Sequence, residues 1–136
     1  MMVDTCPQTL PFRIVNAFRD RLEGGNPAAI VRLPSLTALP DATLHSIATN
    51  FNQPATVFIA PRETDTSDPP GTAMFGIRWF STEIEASLCG HGTLAAAAAA
   101  VFRTAKGAQG PTTIRFEALT GKFFYRAPGG GGPHRD

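Results

Sequence analysis

Cys89, Gly90, His91, Gly92 and Thr93 stand consecutively and bring a thiol, an imidazole, a hydroxyl and two glycines into one short corner. A thiol and an imidazole two residues apart can exchange a proton with a bound molecule, and imidazole is the side chain suited to such exchange near neutral pH. Cys89 and His91 are therefore the candidate acid/base or nucleophilic pair. Cys89 is equally readable as a small hydrophobe beside an apolar helix, and His91 as a capping or surface residue. The glycines let the backbone turn with its N–H groups exposed, and Thr93 is expected to open a helix whose free N–H groups and dipole favour an anion. Gly90, His91, Gly92 and Thr93 are accordingly candidate ligands of a substrate carboxylate. An ordinary strand-to-helix connection capped by Thr93 would use the same residues.

Metal chemistry fits poorly: Cys89 and His91 are two donors at i and i+2 with no further His or Cys cluster, too few for a tetrahedral site. No metal is expected, and His45 and His134 receive no role. A second glycine turn, Gly24-Gly25-Asn26-Pro27, permits positive φ, and Asn26 either bonds locally or reaches toward a ligand.

The reactive corner needs support on both sides. After it, residues 94–102 carry no charge before Arg103, and six consecutive alanines make a strong helix former that is apolar on every side. Such a helix must be covered all round, and its small side chains let strands approach closely. Before the corner, strands are expected at 11–18, 28–33, 56–60 and 73–80, with 81–86 extended or bent. The first two read as a hairpin, and a short amphipathic helix carrying Leu44, Ile47 and Ala48 starts near Asp41 and ends near Asn50. Residues 61–70 form a charged, Pro-bearing loop, residues 106–111 another, and 113–119 with 122–126 make a hairpin around Thr120-Gly121.

About seven strands against two helices predict an α+β domain in which a curved sheet wraps the second helix as an open barrel. A single domain over 11–127 is expected, preceded by an irregular segment, 1–10, and followed by a flexible Gly-rich tail, 128–136.

At 136 residues with 43% apolar content, the chain can bury an ordinary core. Twelve basic and eleven acidic side chains are scattered along it, so the charge pattern of a nucleic-acid or membrane-surface binder is absent. A small molecule is the expected partner. Two cysteines make no disulfide framework, and no apolar run approaches the ~20 residues that span a bilayer, so a soluble, cytoplasmic setting is expected.

Asn16-Ala17-Phe18, Gly25-Asn26-Pro27-Ala28-Ala29-Ile30-Val31, Arg78-Trp79-Phe80-Ser81 and the run from Glu85-Ala86-Ser87-Leu88 through Cys89-Gly90-His91-Gly92-Thr93-Leu94-Ala95-Ala96 occur in one order. Together they resemble the N-terminal half of the PhzF-like isomerases of phenazine biosynthesis, relatives of diaminopimelate epimerase. The resemblance implies two similar domains, each wrapping a curved mixed sheet around a central helix. It further implies a cofactor-free isomerisation by proton transfer on a small carboxylate-bearing substrate held between them. The elbow positions Gly90 and His91 then line the substrate pocket, with Asn26 near the same cleft.

The sequence departs from that pattern at the family's proton-shuttling glutamate, whose position aligns with Ala55; Gln53 nearby is no base. Asn16 and Ser87 stand where the family often has Asp. Family members are about twice as long, and their second domain supplies an acidic residue and another Gly-rich turn. A chain truncated to one half is thus expected to be a homodimer or to associate with a complementary half. If it does not turn substrate over, it is a carboxylate-binding or oligomerisation domain.

Overall fold

The computed structural model describes residues 9–17, 25–64, 67–103 and 113–126, without the side chains of 101–103 and 123–126. Most of the expected N-terminal segment, the 106–111 loop and the Gly-rich tail lie outside these residues. In chain order the elements are β1 Phe12–Ala17, β2 Asn26–Arg32, α1 Asp41–Phe51, β3 Ala55–Arg62, β4 Thr72–Phe80, β5 Glu85–Ala86, α2 Gly90–Arg103, β6 Thr113–Ala118 and β7 Gly121–Arg126.

Neighbouring strands run β1-β2-β3-β4-β6-β7, with β5 paired to β4. The pairs β2–β3 and β4–β6 are parallel and the others antiparallel. Each parallel pair brackets a helix, as the long crossover between parallel strands requires. Those helices cover opposite faces of the sheet. On one face Ile30, Val57, Ile59, Ile77, Trp79 and Phe116 pack with the α2 alanines. On the other, Val31, Leu33, Phe58, Ala60 and Phe80 pack with Leu44 and Ala48 of α1. Residues 55–60 of β3 are all buried, because a strand covered on both faces has no polar side to alternate with.

Several boundaries differ from expectation for identifiable reasons. α1 runs on to Phe51 because Asn52, at φ 51°, takes the left-handed turn and donates its N–H to the Ala48 carbonyl. β3 continues through Pro61, since β2 has stopped at Arg32 opposite Ile59 and that edge needs no donor there. The last hairpin turns at Leu119-Thr120, with Ala118 opposite Gly121. In β1 Phe12 and Ile14 are exposed, and it is Val15 and Ala17 that reach the α2 core.

The sheet is open, not a closed barrel: β1 and β7 end the strand order and do not pair. α2 lies on one face of it, with Ala95, Ala96, Ala97, Ala99 and Ala100 buried. His91, Leu94 and Ala98, three and four residues apart on one side of the helix, are half-buried.

Candidate functional site

The elbow hangs from β4 by several ties. β5 pairs antiparallel with the end of β4, Trp79 opposite Ala86 and Phe80 opposite Glu85. Arg78 of β4 grips Glu85 through two bonds, Nε to Oε2 at 2.7 Å and Nη2 to Oε1 at 2.8 Å, a planar fork matched to a carboxylate. The same guanidinium donates to Asp41 Oδ1 at 3.0 Å and lies over the Phe80 ring, 5.3 Å from its centroid. The hydrogen bond from Arg78 holds the Asp41 carboxyl below the usual carboxylate range, and the bond to Glu85 chiefly raises the guanidinium above its own. Thr120 then donates to the Ser87 carbonyl at 2.8 Å, fastening the elbow to the last hairpin.

α2 begins at Gly90, not at Thr93 as the residue types suggested. The Cys89 carbonyl accepts the first helical bond, from the Thr93 N–H at 3.0 Å, so Thr93 sits a turn inside the helix. Its hydroxyl donates to that same carbonyl at 2.8 Å and accepts from Trp79 Nε1 at 3.0 Å. Thr93 thus ties α2 to β4.

The two elbow glycines have different surroundings. A Cβ on Gly92 would come within 2.9 Å of Val57 Cγ2 and 3.2 Å of both Cys89 Sγ and Trp79 Cδ1, so this glycine exists for close packing. Gly90 is exposed with nothing within 4 Å of a Cβ, and its side of the helix start is open.

Cys89 Sγ and His91 Nδ1 are 3.3 Å apart, a hydrogen-bond distance whose direction depends on the imidazole tautomer. Both residues are half-buried, and His91 Nε2 is enclosed with no hydrogen-bond partner among the described residues. The pair can share a proton, beside four or so helix-start N–H groups that intrahelical bonding leaves free. Among the described residues no group of three or more metal-ligating side chains occurs. No helix there is long and apolar enough to cross a membrane.

Of the other candidate residues, Asn26 is half-buried at the start of β2 opposite Ala17, just after Gly25, whose φ of 96° requires glycine. The elbow's hydrogen bonds do not include it. Ala55 pairs with Ala28 and is only 3% exposed, in the same core as Val57, Cys89 and the α2 alanines. This position of β3 therefore carries a methyl group. Sequence reasoning missed the role of Arg78 and Glu85, whose separation of seven residues spans a tight strand reversal, and of Trp79 as the indole partner of Thr93.

A family model, that of the phenazine biosynthesis-like proteins PhzC-PhzF, matches residues 15–129. The chain belongs to this PhzC-PhzF family. It is 35% identical over 113 residues to phenazine biosynthesis-like domain-containing protein 2 of Mus musculus, a match covering 83% of this chain and 37% of that protein. With a Pseudomonas aeruginosa protein described as an uncharacterized isomerase it shares 41% identity over 88 residues, 65% of this chain and 30% of the other. The PhzF-family crystal structure from Enterococcus faecalis superposes with a TM-score of 0.69 at 30% identity, over 90% of this chain and 42% of that one. A PhzC/PhzF protein from Clostridium difficile gives 0.70 at 28%, over 89% and 41%. This PhzF-like chain thus spans about a third of the length of the curated relatives it matches.

Proposed function

We propose that the PhzF-like chain is the N-terminal module of an isomerase that moves a proton on a small carboxylate-bearing substrate. The observation that carries this reading is the Cys89–His91 contact of 3.3 Å beside an open helix start at Gly90. In this reading the free N–H groups of the first α2 turn receive the substrate carboxylate, favoured by the helix dipole. Cys89 and His91 exchange the proton between them and a substrate carbon, and no cofactor takes part.

The opposite wall of the site comes from a second copy or a complementary half. Supporting this, Ile84, Leu88 and Leu119 flank the β5–hairpin junction at 64%, 55% and 94% exposure, more apolar surface than a lone domain gains from showing. Ala55 favours a second reading, a carboxylate-binding domain without turnover, since a methyl group carries no proton.

Solvent-deuterium incorporation separates the two. In D2O, with the chain alone and with a complementary PhzF-type half added, dihydro-hydroxyanthranilate is expected to gain deuterium at a ring carbon. Cys89→Ser or His91→Ala should abolish the gain. Amide shifts of residues 89–94 on adding the same compound, with no deuterium under either condition, would establish the non-catalytic reading instead.

A further inference from the structure

A cleft of about 450 Å³ lies between the start of α1 and β6, lined by Leu36, Asp41, Arg62, Arg78, Glu117 and Ala118 among others. Register builds its floor on the sheet face opposite α2. Gly76 of β4 lies opposite Ala60 of β3, a member of the core beneath α1, and opposite Glu117 of β6. The elbow, packed on Val57 and Trp79, belongs to the other face. A Cβ on Gly76 would stand 2.7 Å from Leu36 Cδ1 and 3.5 Å from Arg62 Cδ. The bare backbone there lets Leu36 lie against the sheet and leaves a saddle between the flanking strands.

Arg62 and Glu117 meet across that saddle. They stand on β3 and β6, on either side of β4 and so two strand spacings, or about 9–10 Å, apart. Their side chains reach over β4, yet Arg62 Nη1 and Glu117 Oε2 stop 3.6 Å apart, beyond the roughly 2.7–2.9 Å of a charge-assisted hydrogen bond. Among the described residues neither side chain makes a hydrogen bond. With side chains 49% and 30% exposed, the pair is held only by a screened attraction that a competitor displaces at little cost. Arg78 differs, being closed on Glu85 by two hydrogen bonds and on Asp41 by a third. The groups left to recognise a ligand are therefore one guanidinium and one carboxylate, side by side next to the half-buried Leu36 and Ala118. A simple anion meets repulsion from Glu117, and a simple cation from Arg62. A molecule that carries both charges on one carbon satisfies the two together.

We infer that this cleft binds a free α-amino acid with an apolar side chain. Its carboxylate accepts from Arg62, its ammonium donates to Glu117, and its hydrocarbon lies on Leu36 and Ala118. Two sets of charge-assisted hydrogen bonds then replace one long ion pair. The volume falls within the roughly 300–1,000 Å³ that small-molecule sites occupy. This site is separate from the elbow and stands whether or not the elbow is catalytic.

The test is a titration of the chain with L-leucine, followed by amide shifts in ¹H–¹⁵N spectra. Isocaproate, which lacks the ammonium, and isoamylamine, which lacks the carboxylate, serve as comparisons at matched ionic strength. Saturable shifts at Arg62, Gly76, Glu117 and Ala118 are expected with leucine, and binding of either analogue should be at least tenfold weaker. Arg62→Gln and Glu117→Gln should each weaken leucine binding at least tenfold, whereas Arg13→Gln, which removes an exposed arginine elsewhere, should leave it unchanged. The analogues probe the same two contacts on the unmodified chain, so the result does not depend on how either variant folds. No saturable shift with leucine, equal binding of isocaproate or isoamylamine, or insensitivity to Arg62→Gln and Glu117→Gln would each overturn the inference. Leucine shifts confined to residues 89–94 would also overturn it, and would leave the elbow reading intact.

Discussion

Gly92 and Gly90 sit two residues apart in one helical turn, yet the room around them predicts opposite responses to a methyl group. Gly92→Ala forces a Cβ against Val57, Cys89 and Trp79 and should cost about 1–3 kcal/mol, read as a lower urea midpoint. Gly90→Ala meets open space and removes a poor helix former, so a gain of up to about 1 kcal/mol is expected, together with weaker carboxylate binding at the elbow. Thr93→Val deletes the acceptor of the Trp79 indole N–H and should cost about 1–3 kcal/mol, which Thr93→Ser largely restores. Thr56 offers the converse case. Its buried hydroxyl has no partner among the described residues, so Thr56→Val should be neutral or stabilising by up to about 1 kcal/mol in the same measurement.

At the scale of elements, Arg78 joins the start of α1 to β5 through Asp41 and Glu85, and so sets where the chain enters the elbow. Asp41 has its carboxyl lowered by Arg78, so its contribution is fully present above the ordinary carboxylate range and is lost as pH falls below it. The fall in stability on acidification below about pH 4 should therefore be shallower in Asp41→Asn than in the unmodified chain, measured by urea midpoints from pH 6 to pH 2. Asp41 is mostly exposed, and the effect is small and weakened by salt. Arg78→Met should do more damage, because it releases Glu85 and frees β5. The elbow amides, residues 87–91, would then exchange with solvent faster than those of β3.

For the whole molecule, an open sheet with a helix on each face makes a self-supporting core, while the elbow and the apolar side chains around it face outward. Leu119 is almost fully exposed beside the elbow's anchor at Thr120. Leu119→Asp should leave thermal stability unchanged and weaken association with a second copy or complementary half, seen as a shift toward monomer in sedimentation velocity. Unchanged sedimentation at all concentrations, with and without the added half, would place the working surface elsewhere.

Much of this was legible from residue order alone. Alternation and β-branching located the strands, the alanine run located α2, and four short motifs in sequence pointed to the family that the comparisons identify. Those signals are local, and a helix or strand expresses them wherever it is packed. Tertiary structure decided what depends on distant partners: that α2 starts at Gly90, and that Gly92 serves packing while Gly90 stays clear. It also joined Arg78 to Asp41 across 37 residues. The elbow's residue types announced proton chemistry, but only register and crossover placed Trp79 and Val57 against it. No spacing along the chain encodes which side chains two separate strands bring face to face.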